Sequence, residues 1–168
     1  MEAHKTIMMS NGKGILVDAE DYDSLSSFNW SLSRSGEKCY AHRRRQAGEC
    51  FTTATVKMHR LLLGLVGIEN KHIQVDHING NGLDNRKNNL RPCNAAENQA
   101  NTCGRNKNGF KGVSEEKNRA FNRWRARIRK DSKLVDLGNY PTKELAAAAY
   151  DGAAKALYGS FARGNFII

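Results

Sequence analysis

The sequence predicts an α+β protein of two small modules, and three observations carry that expectation. Residues 73–101 read as strand, turn-rich loop, strand and short helix. Residues 122–130 alternate arginine with apolar residues, as a strand with two unlike faces does, and residues 143–158 carry Leu and Ala at helical spacing. A polar, glycine-bounded stretch, GRNKNG at 104–109, reads as the linker between them. At 168 residues the chain fits one or two small domains and excludes a large enzyme core.

Taken in order, residues 1–54 mix short apolar runs with Gly and Ser breaks, which predicts a β-rich segment with one helical turn around Asp21 to Phe28. Over Thr55 to Val66, the residues Val56, Met58, Leu61, Leu62, Leu65 and Val66 recur at helical spacings, so a helix is expected there. His59 sits inside it and is expected to pack or hydrogen-bond rather than ligate a metal. Ile73, Val75 and Ile78 predict a strand ending on Asp76 and His77, with Leu90 and Arg91 returning beside it. Asn94 then serves as N-cap with Glu97 at N3, placing Asn98 near the first turn of a short helix. This compact ββα unit is expected over residues 55–103. The last module, residues 110–168, is sheet plus helix. Thr142 is the expected N-cap, and Leu145, Ala146, Ala149, Tyr150, Ala153 and Leu157 are the expected apolar stripe.

Lys plus Arg number 27 against 17 Asp plus Glu, a formal charge of +10, and such a field attracts polyanions. Nucleic acid is the leading partner. No run approaches the ~20 apolar residues of a spanning helix, so a membrane is not expected, and a cytosolic setting is. Arg43, Arg44 and Arg45 are candidates to track phosphates. Cys39, Cys50, Cys93 and Cys103 lie far apart without a C-x-x-C pair; reduced thiols are expected, and no structural zinc.

The residues VDHINGNGLDNRKNNLRPCNAAENQANT, 75–102, allow two readings. In one, Asp76 caps a neighbour in a turn and His77 is partly buried. In the other, Asp76 and Asn98 offer oxygen to one hard cation, and neutral His77 takes the proton of an attacking water. That chemistry is phosphodiester hydrolysis. The stretch resembles the HNH endonuclease motif in its phage and intron-encoded homing form, and MHRLLLG resembles the segment that often precedes it. The resemblance implies a ββα-metal core with His77 as general base, Asn89 as the central asparagine bracing the loop, and Asp76 and Asn98 as metal ligands. Asn101, on roughly the same helical face, competes with Asn98. Asparagine in place of the third histidine favours Mg²⁺, with Mn²⁺ second, over Zn²⁺.

In NRWRARIRK, 122–130, Arg123, Arg125, Arg127 and Arg129 share one face, and Trp124, Ala126 and Ile128 the other. The arginine face is expected on DNA and the apolar face on a helix. Residues 110–166, from Phe-Lys-Gly-Val through Leu137-Gly138-Asn139-Tyr140 and Ala-Ala-Tyr-Asp to Asn165-Phe166, are similar to the plant Apetala and ethylene-response-factor DNA-binding domain. The resemblance implies a three-stranded antiparallel sheet packed on one helix and laid in the DNA major groove, with Lys111 and the strand arginines at DNA. Ser114, Glu116, Leu134 and Asp136 depart from the plant pattern.

Together these predict a metal-dependent, homing-type endonuclease that nicks duplex DNA as a monomer or cuts both strands as a dimer, in a bacterial host cytoplasm if phage-encoded. The alternatives are a DNA-binding regulator with an inactive nuclease core and an RNA-binding phage protein.

Overall fold

A computed structural model describes residues 3–49, 51, 53–103, 107–117 and 122–166. Cys50 and the first half of the expected linker, residues 104–106, lie outside the described residues. The chain forms two compact units, Met1–Asn94 and Ala95–Ile168.

In the first unit, β1 (His4–Met8) and β2 (Gly14–Asp18) form an antiparallel hairpin. Period-two alternation turns Ile7, Ile15 and Val17 into the core, while their neighbours Thr6, Met8, Leu16 and Asp18 are more exposed. The helical turn expected around Asp21 is α1 (Tyr22–Ser26), which buries Leu25. Trp30 follows, buried, with its indole N–H donated to the Leu25 carbonyl at 2.8 Å. Strands β3 (Ser31–Ser35), β4 (Lys38–Arg44) and β5 (Thr55–Lys57) form an antiparallel sheet with β4 central.

Helix α2 is shorter than the sequence predicts and spans Met58–Leu62. Thr55, Val56 and Lys57 instead pair with Arg44, Arg43 and His42. Two consecutive β-branched residues favour the extended form, and cross-strand pairing outweighs a helical periodicity carried mainly by residues after Met58. Gly64 ends the helix at φ 66°. Its N–H bonds Leu61 O at 3.0 Å and the N–H of Leu65 bonds Arg60 O at 2.8 Å, the paired bonds of a glycine-terminated helix.

Strands β6 (Gln74–His77) and β7 (Leu90–Cys93) form the expected antiparallel pair, with Asp76 opposite Arg91 and His77 opposite Leu90. The loop between them is stitched to the N-terminal hairpin: Leu16 N–H bonds Leu83 O at 2.9 Å and Asn85 N–H bonds Leu16 O at 2.8 Å. Lys87 adds a backbone bond to Asp18 Oδ2 at 2.7 Å, and its ammonium reaches Glu20 and Asp21.

In the second unit, α3 (Ala95–Ala100) precedes the sheet β8 (Val113–Lys117), β9 (Asn122–Lys130) and β10 (Lys133–Tyr140), antiparallel with β9 central. Asp131 and Ser132, at φ 48° and 64°, make the two-residue turn between β9 and β10 that matches strand twist. Helix α4 (Lys143–Tyr158) begins as expected at Thr142, whose hydroxyl accepts from Leu145 N at 3.2 Å. Its buried face differs from the expected stripe. Ala146, Ala147, Tyr150, Asp151 and Ala154 are buried, whereas Leu145 and Leu157 are 50% and 37% exposed. Small alanines let the helix lie close to Val113, Ala126 and Ile128, and the bulkier leucines do not fit that approach. Among the described residues no helix is long and apolar enough to cross a membrane.

Gly112 sits at φ 73°, and a Cβ there would lie 2.0 Å from the Tyr150 ring and 2.7 Å from Arg127 O. Gly112→Ala therefore combines backbone strain with overpacking. Urea unfolding is expected to show a loss of about 2–5 kcal/mol.

Candidate active site and nucleic-acid interface

Asp76 and His77 are the last two residues of β6, and both are buried, at 2% and 5% exposure. Consecutive strand residues face opposite ways, so the carboxylate and the imidazole serve different surroundings. Arg91, directly across on β7, donates Nε at 2.9 Å and Nη2 at 2.7 Å to Asp76 Oδ2. His77 Nε2 lies 3.4 Å from Asn85 Oδ1.

The chain turns immediately after His77, and Asn89 holds that turn. Its backbone carbonyl accepts from Ile78 N at 2.9 Å and its Oδ1 accepts from Asn79 N at 3.0 Å. Its Nδ2 donates to Asp84 O at 2.8 Å and to Asn79 Oδ1 at 3.1 Å. Asp84 takes Asn79 Nδ2 at 2.7 Å and two bonds from the Arg86 guanidinium, which hold its carboxyl below the usual range. The high Asn and Gly content of the loop is thus a side-chain network, because asparagine both accepts from and donates to local backbone.

His59 and Tyr40 close the other side of His77. The His59 ring is 5.1 Å from the His77 ring, edge to face, and Tyr40 is 5.5 Å from His59 and 5.8 Å from His77. Arg60, the next residue of the His-Arg-Leu segment, ties down the approach to β6 by donating to Ile73 O at 2.6 Å and Asn70 O at 3.0 Å. Burial pushes His77 below the ordinary imidazole value, opposed by its contact with Asn85 and by the Asp76 and Asp84 carboxylates. His59 is pushed down to about 3, by burial first and then by neighbouring His77 and Lys57. His59 is packed, as its place on the apolar helix predicts.

The donor set has an oxygen character. Among the described residues no three or more His, Cys, Asp and Glu side chains cluster as a protein-built metal cage requires. Carboxylate and amide oxygens, such as those of Asp76 and of Asn98, are donor types that suit a hard cation keeping water and phosphate in its shell. Asn98 lies half-buried on α3 in the second unit, and Asn101, just past that helix, is 4% exposed.

Two expected DNA contacts are placed elsewhere. Arg43 is 4% exposed; its guanidinium lies 4.2 Å from the Phe28 ring centroid and makes paired bonds to Glu49 at 2.9 and 2.5 Å. A buried guanidinium needs such a carboxylate, and Glu49, six residues on, supplies it. Arg44 and Arg45 remain exposed. Lys111 is turned inward: its ammonium caps the end of α3, donating to Ala100 O at 2.6 Å and Thr102 O at 3.1 Å, and burial lowers it to about 8. On β9 the expected faces hold. Ala126 and Ile128 are buried and Trp124 is partly so, while Arg123 and Arg129 are exposed and Arg125 and Arg127 half-exposed. Sequence reasoning missed Asn85, Asp84, Arg91 and Arg60 as site-shaping residues. The cross-strand register was the one available signal, and it pairs Arg91 with Asp76.

The buried histidines set an acid limit on stability. Unfolded imidazole titrates near 6.5 and folded His59 at about 3. Between those values the unfolded chain binds a proton that the native fold refuses. Stability is therefore full above about pH 6.5 and falls as pH drops, by up to about 1.4 kcal/mol per pH unit for one such group. Urea unfolding at pH 7.5 and 5.5 is expected to show this loss, and His59→Gln is expected to flatten the slope.

Comparison with known proteins fits this geometry. The HNH endonuclease family model matches residues 56–100, from β5 through α3. An uncharacterized HNH endonuclease of Acanthamoeba polyphaga mimivirus is 30% identical over 166 residues, covering 95% of this chain and 80% of the viral protein. Dehydration-responsive element-binding protein 2A of Arabidopsis thaliana is 46% identical over 59 residues, 34% of this chain and 17% of the plant protein. With the matched segment containing the Asp76–His77 strand, the Asn89 loop and the helix that follows, the chain belongs to the HNH endonuclease family.

Proposed function

We propose that the protein is a metal-dependent, homing-type endonuclease that hydrolyses phosphodiester bonds in duplex DNA, one strand at a time. The observation that carries this reading is the buried end of β6, where Asp76 and His77 stand side by side above a loop fixed by Asn89.

In this reading His77 is the general base. Its lowered pKa keeps the imidazole neutral, and so able to accept a proton from water, at and below neutral pH. Asn85 and the His59 and Tyr40 rings hold its orientation. Asp76 and Asn98 are the residues that would hold the divalent cation, Mg²⁺ first and Mn²⁺ second. When bound, the cation stabilises charge on the phosphate and the leaving oxygen. Arg91 fixes the Asp76 carboxylate through Oδ2. The Asn89 side chain bonds Asn79 and Asp84 of the loop and acts by positioning. One such site reaches one strand, so a monomer nicks, and a double-strand break takes two protomers or two events.

The arginine face of β9 is the proposed duplex-binding surface, with Arg44 and Arg45 as further phosphate contacts. The plant relative, 46% identical over 59 residues, is named for binding a dehydration-responsive element. A flat sheet with regularly spaced guanidinium groups fits the major groove of DNA better than the deep, narrow groove of A-form RNA.

The test is nicking of supercoiled plasmid with Mg²⁺, with and without EDTA, by wild type and His77→Ala. The expected result is metal-dependent nicking that falls by about 100-fold or more in His77→Ala, with duplex binding retained. Tight binding with no cleavage in any divalent metal would favour the DNA-binding regulator. Because His77 titrates below the ordinary imidazole value, the acid limb of the rate profile is expected below pH 6.5.

A further inference from the structure

Arg125 sits at the centre of the exposed face of the β8–β9–β10 sheet. Its cross-strand neighbours are Ser114 on β8 and Asn139 on β10. The side chains it bonds lie diagonally: Glu116 further along β8, and Asp136 beyond the bulge between Asp136 and Gly138. Nη1 donates to Glu116 Oε1 at 2.7 Å, Nε donates to Asp136 Oδ2 at 2.9 Å, and Nη2 donates to the same oxygen. Asp136 is itself held, since its Oδ1 accepts from Gly138 N at 3.0 Å. One guanidinium is thus gripped from both flanking strands.

Stability does not account for this bridge. The three side chains are 34%, 41% and 47% exposed, and exposed ion pairs contribute little. Nor does phosphate attraction, because one cation between two anions leaves the middle of a basic face locally negative. A base edge is a better match. Three of the five guanidinium N–H groups are used, which leaves two donors, with carboxylate oxygens on either side. In the major groove a G·C pair offers guanine N7 and O6 as two acceptors and the cytosine amino group as a donor beside them.

We infer that the Glu116–Arg125–Asp136 bridge is a specificity-determining element that reads one G·C pair, Arg125 donating to guanine and a flanking carboxylate accepting from the cytosine amino group. The inference rests on the reading that this sheet lies on duplex DNA. The carboxylates also lock the plane of the guanidinium, so the fork meets the base edge without first being ordered.

The experiment is selection from a randomised duplex pool by the full chain in EDTA, which prevents cleavage, followed by sequencing of bound duplexes. Wild type is compared with Arg125→Lys, Asp136→Asn and the Glu116→Gln/Asp136→Asn double variant, with melting temperature measured for each. The expected result is that preference for one G·C pair falls about tenfold or more in Arg125→Lys and in the double variant, while preferences at other positions remain. Affinity of the double variant for unselected duplex is expected to rise, with a steeper salt dependence, because two repelling carboxylates are gone. Unchanged base preferences in every variant would overturn the inference while leaving the DNA-binding reading intact. A uniform loss at all positions alongside a lowered melting temperature would also overturn it, making the bridge a structural tie. If wild type selects no duplex, the reading of the sheet as DNA-facing fails and the inference with it.

Discussion

The Asn89 side chain is the constraint on which the site depends. It is 6% exposed and satisfies the Asn79 amide, the Asp84 carbonyl and the Asn79 side chain at once. Each bond contributes only about 1 kcal/mol net, but leaving the buried Asn89 Nδ2 or Asp84 carbonyl unpaired costs about 1–3 kcal/mol. The chain just beyond His77 is therefore held in one conformation, and Asp84 and Asn85 are placed by the same bonds. From there the constraint spreads to β2 through the backbone bonds of Leu16, and to α1 through Lys87. The N-terminal hairpin and the start of α1 thus buttress the asparagine loop after His77.

Charge is handled in the same way throughout the first unit. Asp76 faces Arg91, Asp84 faces Arg86 and Arg43 faces Glu49, each pair at 2.9 Å or less. A buried charge without its partner is costly, so each pair fixes a side chain in place more than it adds net stability. For Asp76 the consequence is functional: a carboxylate proposed to hold a cation is oriented before any ligand arrives. The second unit uses charge differently. Its arginines stand on an exposed sheet face, backed by an alanine-lined helix that allows close packing.

Much of this was legible in the sequence where the signal is local. The alternation in NRWRARIRK, the Thr142 cap, the turn of helix after Asp21 and the strands on either side of the asparagine loop all follow from neighbouring residues. What was not legible depends on distant partners. The burial of Arg43 depends on Glu49 and Phe28, and the inward turn of Lys111 on carbonyls at the end of α3. The strand at Thr55 needs β4 beside it, and the buried face of α4 is selected by how closely a sheet approaches. Within the candidate site, the sequence singled out Asp76 and His77 and the family resemblance pointed to Asn89, but the packing of His59 and Tyr40 against His77 required the fold.

The most direct test of this account is the single-turnover nicking rate of Asn89→Asp at saturating duplex and Mg²⁺. The substitution keeps the shape of the side chain and removes the two donors that hold the loop. Misplacing a catalytic group by about 1 Å can cost about 100-fold, so a fall of that order is predicted with duplex affinity unchanged. A rate within about threefold of wild type would contradict the claim that the Asn89 network sets the geometry of the site.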